Sequence, residues 1–303
     1  MEIVNKYQET RDFLFEQAGI SPQSKTVTTK GAVKKVHYLK LGNGKPFIIV
    51  HGGLSHSSEW INMLKPLSEH FHLYVVDRPG HGLTDPINYN GIDYRKSAVD
   101  FIHSFMDGVG LEKALFMGNS MGGYFSICHA LEYPERVEKL LLIGAPAGMN
   151  YWVPPILRLL GVKGLNKLLE KTVGKPSIDG TRKIHQSILV ADADKLSDEY
   201  IEHCYYNSLL PGTATARRTM LETVLTLKGW RRKLYLTDQL NQLKMPVHFI
   251  WGDQDAFESN ETGVVKAKTI ENHTFKLIEN AGHCPWLDQP EQCATVIIDK
   301  LKD

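Results

Sequence analysis

Ser120 stands in Gly118-Asn119-Ser120-Met121-Gly122, between an apolar run at 114–117 and a helical pattern at 121–132. A serine hydroxyl attacks an acyl carbon only when a base takes its proton, and a strand, a sharp turn and a helix in that order expose such a hydroxyl. The flanking glycines let the strand and helix backbones approach closely, while the turn strains the serine and sets a helix N-terminus beneath it. In this arrangement the acid and then the histidine follow the serine along the chain. His283, in Asn280-Ala281-Gly282-His283 after an apolar run at 275–278, is the favoured base; His129, His185, His203, His248 and His273 compete on residue type alone. Gly252-Asp253-Gln254-Asp255 offers two carboxylates at the end of the run 247–251. Asp255 is preferred as the orienting acid, because the loop must clear the strand end before turning towards the histidine. Asp253, beside the glycine, is better placed to fix the turn by accepting backbone N–H groups. Attack on a carbonyl creates an oxyanion that needs pre-aimed N–H donors. Met121 supplies one expected amide; Gly53 supplies the other, from His51-Gly52-Gly53-Leu54 after the run 47–50, with Leu54 as second choice. His51 is read as tying its loop together. Asp77-Arg78-Pro79-Gly80-His81-Gly82 is read as a shaped loop in which Asp77 pairs locally. No HExxH or HxHxDH spacing occurs, so neither a metal nor any other cofactor is expected.

These residues need strand ends to hold them. Short apolar runs at 46–50, 73–77, 114–117, 140–143, 247–251 and 275–278 alternate with helical patterns at 58–70, 94–109, 121–132 and 290–301. Continuous apolar strands separated by helices predict an α/β fold, a mostly parallel central sheet with helices on both faces. A further helical run, 2–18, precedes it. From about Pro146 to Asp238 the rhythm breaks into Leu/Lys-rich stretches such as 156–172 and 191–207, with aromatics concentrated there. An inserted helical cap at 146–238, between core segments 1–145 and 239–303, is the simplest reading. Leu54, Trp152, Tyr206, Trp230 and Trp286 are the candidate substrate-contacting residues.

The whole chain sets limits on partners. At 303 residues, 42% hydrophobic and 23% charged, it is neither disordered nor fibrous. Thirty-five Lys+Arg against 34 Asp+Glu leave a net charge of +1, which gives no footprint for nucleic acid. No apolar stretch reaches membrane-spanning length, and the N-terminus has no hydrophobic signal core. The four cysteines lack CxxC spacing and fit free thiols, so a cytoplasmic protein acting on a small molecule is expected.

From about residue 36 onwards the chain resembles the α/β-hydrolase superfamily. His51-Gly52-Gly53, Asp77 to Gly82, Gly118 to Gly123, Gly252 to Asp255 and Ala281 to His283 match it in identity and order. The resemblance implies a Ser120–His283–Asp255 triad, and its G-x-x-D pattern favours Asp255. Ser120 stands where haloalkane dehalogenases and epoxide hydrolases carry Asp, and Leu54-Ser55 replaces the Pro-Gly of the proline iminopeptidases. The stretch Gly118 to Gly123, with Ala130 to Arg136, is similar to the meta-cleavage product hydrolases, which cut C–C bonds. Those carry a longer glycine-rich loop and a Trp after the catalytic His, where this chain has Cys284. A serine esterase or lactonase is therefore the leading expectation, acting on a bulky, mostly apolar substrate for which macrocyclic lactones are compatible. C–C hydrolysis, acyl transfer and a ligand-sensing receptor on the same fold are the alternatives.

Overall fold

A computed structural model describes residues 2–172 and 175–302. Its central sheet has eight strands: β1 (Gln23–Thr28), β2 (Lys35–Leu41), β3 (Lys45–Val50), β4 (Phe71–Val76), β5 (Ala114–Gly118), β6 (Val137–Ile143), β9 (Val247–Gly252) and β10 (His273–Ile278). A separate ribbon pairs β7 (Leu225–Thr226) with β8 (Gly229–Trp230). The sheet order is β1-β2-β4-β3-β5-β6-β9-β10, with β2 antiparallel to both neighbours and the pairings from β4 to β10 parallel. The register aligns Val50 with Gly118, Gly118 with Leu142, and Ile143 with Ile250. The carboxyl ends of β3, β5, β6 and β9 thus lie side by side, where open α/β sheets hold ligands.

Alternation along these strands feeds two cores. Ile48, Val50, Phe116, Leu142 and Phe249 face α3 (Tyr94–Val109) and α4 (Met121–Glu132), packing with Phe101, Phe105 and Phe125. Phe47, Ile49, Met117, Leu141 and Ile250 share the opposite core with α1 (Glu2–Gln17), α2 (Ile61–Ser68) and α12 (Pro290–Leu301). Burial on both faces explains why these strands read as unbroken apolar runs. β1 gave no such signal: its residues Gln23-Ser24-Lys25-Thr26-Val27-Thr28 form a largely exposed edge.

Between β6 and β9 the chain forms α5 (Pro155–Leu160), α6 (Leu165–Thr172), α7 (Ile178–Ile184), α8 (Asp198–Leu209) and α9 (Thr213–Val224), then the ribbon. The expected helix over 156–172 is broken, with Gly164 taking a φ of +91° that an L side chain resists. The stretch expected to be helical over 191–207 becomes continuous helix at Asp198, where the Ser197 hydroxyl caps it by accepting from the Tyr200 amide. α10 (Asn260–Ala267) and α11 (Pro285–Asp288) complete the helices. α1 packs against α8: Tyr7, fully buried, stacks on His203 at 4.7 Å. The two ring nitrogens of His203 lie 2.9 Å from Thr10 Oγ1 and 2.8 Å from Ser58 Oγ. No helix among the described residues is long and apolar enough to cross a membrane.

Candidate active site

Ser120 occupies the turn between β5 and α4, with φ 49° and ψ −114°, a backbone conformation that costs a non-glycine residue about 1–3 kcal/mol. The surroundings enforce it. A Cβ on Gly118 would come within 2.6 Å of the Gly122 carbonyl, and one on Gly122 would collide with the carbonyl of Val50. Asn119 Nδ2 donates to the carbonyls of Ile143 (2.8 Å) and His283 (3.2 Å), tying the elbow to the end of β6 and to the histidine loop.

His283 is buried, and its Nδ1 lies 3.0 and 2.9 Å from Asp255 Oδ1 and Oδ2. The same carboxylate accepts from the Phe257 amide through Oδ1 (2.9 Å) and the Ala145 amide through Oδ2 (2.8 Å), which fixes its plane. Asp253 does separate work, its Oδ1 accepting from the Ala281 amide at 3.0 Å. His283 Nε2 is buried without a hydrogen-bond partner among the described residues, and both His283 and Ser120 line one cavity. The Ser120–His283 hydrogen bond is not formed in this geometry; such bonds commonly tighten only once substrate is present.

The loop after β3 is held by its carbonyls. Arg78 Nε donates to His51 O (2.9 Å), Arg78 Nη2 to Gly52 O (2.6 Å), and the His81 ring meets Gly53 O at 3.0 Å. His51 Nε2 accepts from the Arg78 amide at 2.9 Å, so this histidine ties backbone together. Burial, reinforced by the Arg78 charge, pushes its pKa well below the ordinary value. Gly53 and Met121 line the cavity beside Ser120. Neither amide has an acceptor among the described residues. Asp77 reaches further than local pairing: it accepts from the Ser57 and Leu83 amides and lies 2.6 Å from His37 Nδ1. Burial alone would raise its pKa, but His37 and the Ser57 amide outweigh it and hold it below the usual carboxylate range.

Trp152, Val153, Leu157, Val224 and Trp230 bring largely apolar walls to the cavity from the segment between β6 and β9. Of the residues named as substrate contacts, Leu54, Trp152 and Trp230 line it. Tyr206 and Trp286 do not line it. Tyr206 sits on α8 against Tyr205, near Lys6 of α1. Trp286 is fully buried, stacks on Trp60 at 4.0 Å and donates Nε1 to the Glu59 carbonyl.

Two residues carried no motif. Asp288 accepts from the amides of Gly282 (2.8 Å), Ala191 (3.0 Å) and Asp192 (3.2 Å), and the Cys284 amide donates to Leu189 O (2.7 Å). These bonds tether the His283 loop to the segment ahead of α8. Burial raises the Asp288 pKa against the pull of those amides. Glu59 lines the cavity, and no local spacing in the sequence marks it.

The profile of the alpha/beta hydrolase fold family matches residues 45–290. The chain belongs to this family. The hydrolase is 29% identical to a 2-hydroxy-6-oxononadienedioate/2-hydroxy-6-oxononatrienedioate hydrolase of Paraburkholderia phymatum, over 89% of this chain and 92% of the relative. It is 26% identical to human monoacylglycerol lipase ABHD6, over 86% of this chain and 76% of the relative. Carboxylesterase CesB from Bacillus subtilis shares its fold with a TM-score of 0.79 at 19% identity, covering 99% of this chain and 98% of the other. The meta-cleavage product hydrolase CumD from Pseudomonas fluorescens does so with a TM-score of 0.74 at 24% identity, covering 91% and 96%.

Proposed function

We propose that this hydrolase cleaves carboxylic esters or lactones through an acyl-enzyme on Ser120, with Asp255 and His283 completing the triad. The observation that carries the reading is the Asp255–His283 pair, 2.9 Å apart with both side chains buried, whose histidine shares one mostly apolar cavity with a serine on a strained strand–helix turn. His283 Nε2 takes the Ser120 proton as Oγ attacks the carbonyl carbon, and the Gly53 and Met121 amides receive the oxyanion. The imidazolium then protonates the departing alkoxide. A water deprotonated by the same nitrogen attacks the acyl carbon, releasing the acid and regenerating Ser120. The segment 146–238 acts as a cap whose Trp152, Leu157 and Trp230 select a bulky apolar group. The likeness to monoacylglycerol lipases supports ester chemistry. The likeness to 2-hydroxy-6-oxononadienedioate hydrolases supports a second reading, C–C hydrolysis by the same residues, and Arg217 in the cavity wall is a group that a substrate carboxylate would meet.

The test is turnover of p-nitrophenyl butyrate by wild type and by Ser120→Ala, both shown to be folded by circular dichroism. Loss of turnover in the variant, by at least about a thousandfold, is expected. Equal rates from both would remove the ester reading, and cleavage of a 2-hydroxy-6-oxodienoate alone would install the C–C one.

A further inference from the structure

Glu59 is an acid in the cavity that the proposed chemistry does not use. It lies in the short turn Ser57–Trp60, between the Gly52-Gly53 loop and α2, and is 4% exposed. Its main chain is already engaged, the amide donating to His56 O and the carbonyl accepting from Trp286 Nε1. The turn itself is held through these main-chain bonds. The side chain lines the cavity near Ser55, Leu189 and Cys284, and its Oε1 has no hydrogen-bond partner among the described residues. The charged group near it is Arg78, whose Nε and Nη2 are committed to the carbonyls of His51 and Gly52.

An unmade hydrogen bond on a buried carboxyl costs about 1–3 kcal/mol, and a group left so calls for a partner from outside the protein. Burial pushes the Glu59 pKa up to about 8, with the Ser55 hydroxyl and the Gly52 amide pulling the other way. At neutral pH the carboxyl thus mostly keeps its proton, and a neutral carboxyl presents one O–H donor and one C=O acceptor. That pair complements a hydroxyl, which both accepts and donates. A cation would instead be the partner of a carboxylate. Glu59 reaches the cavity from the core side, whereas Trp152, Val153, Leu157 and Trp230 reach it from the insertion.

We propose that Glu59 forms a polar subsite beside Ser120 that takes a hydroxyl group of the substrate, so that the preferred esters pair a free hydroxyl near the reacting carbonyl with a large apolar group under the cap. The ester part rests on the function proposed above; the subsite does not. Its test therefore begins with binding, using full-length Ser120→Ala protein and two non-hydrolysable probes, 1-O-hexylglycerol and hexyl propyl ether. The hydroxylated probe should bind about tenfold more tightly, the equivalent of one well-made hydrogen bond. Adding Glu59→Leu should erase that ratio, and adding Glu59→Gln, which keeps a donor and an acceptor, should preserve it. Equal affinities in the Glu59 protein overturn the proposal even if Glu59→Leu does not fold, as does a ratio unchanged by Glu59→Leu. Tighter binding of 3-hexyloxypropylamine than of the glycerol ether would also overturn it, in favour of a cation-binding carboxylate. Turnover by wild type then locates the hydroxyl: a kcat/KM preference for glycerol monohexanoate over propyl hexanoate places it on the alcohol, and one for methyl 2-hydroxyhexanoate over methyl hexanoate on the acyl group. Failure to cleave any ester would count against the ester reading and leave the binding result standing.

Discussion

The two oxygens of Asp255 meet His283 Nδ1 and two backbone amides, from Ala145 and Phe257, so its orientation is set by β6 and by its own loop. An asparagine here would turn an NH2 either towards one of those amides or towards the Nδ1–H, and His283 would adopt the wrong tautomer. Asp255→Asn should lower kcat by about 10³–10⁴ with little change in KM, measured on p-nitrophenyl butyrate. Glu59 predicts a pH effect on stability. Its folded pKa of about 8 lies above the ordinary 4.5, so its contribution is complete below about 4.5 and is lost as the pH rises through about 8. The groups around it are Arg78, Tyr200 and Cys204 of α8, and Cys284, with burial raising Tyr200 and both thiols far enough to stay neutral across that window. Glu59→Gln should therefore flatten the fall in melting temperature between about pH 5 and pH 8, the variant gaining on wild type at the alkaline end. As candidates, Ser120, Asp255, His283, Gly53 and Met121 stood out because each sits at the end of an apolar run with a glycine nearby. Glu59 and Asp288 did not, because both act through burial, which no local spacing encodes.

Elements were legible in proportion to how apolar they are. The strands from β3 to β10 on the parallel side, buried on one or both faces, stood out as runs, while β1 pairs through its main chain and shows polar side chains to solvent. The ribbon of β7 and β8 is only two residues per strand. The helices between β6 and β9 were partly misread because Gly164 and Ser197, which shape two of them, lie inside Leu- and Ala-containing stretches that otherwise propagate helix. α1 was visible as a helix but not as a partner of α8, a pairing that depends on Tyr7, Thr10 and His203 meeting across the fold. Tyr7 is fully buried against His203 and His56, and Tyr7→Ala should cost about 3–5 kcal/mol in urea unfolding, the range for removing a large buried aromatic ring. A loss under about 1 kcal/mol would mean that α1 is an adornment rather than part of the core.

At the scale of the molecule, the sheet and the helical segment between β6 and β9 differ in how deeply they are anchored. Phe47, Ile48, Ile49 and Val50 of β3 are fully buried, whereas α5 buries no residue and exposes Ile156 and Leu159. Hydrogen exchange should therefore be at least about a hundredfold faster for the amides of α5 than for those of β3 and β5, since local opening follows the contacts that must be broken. Equal protection would show that this segment opens only with the core. That helices fill the chain between β6 and β9 showed in the sequence as a break in the apolar runs over 146–238; how tightly each of those helices is held did not. The bond between Thr10 and His203 joins residues 193 positions apart. On a translating ribosome α8 emerges some ten to forty seconds after α1, at about 5–20 residues per second. Until then Tyr7 has no His203 to stack on. α1 is thus made well before it can be seated, and for that interval its uncovered side is a grip for any chaperone that meets the nascent chain.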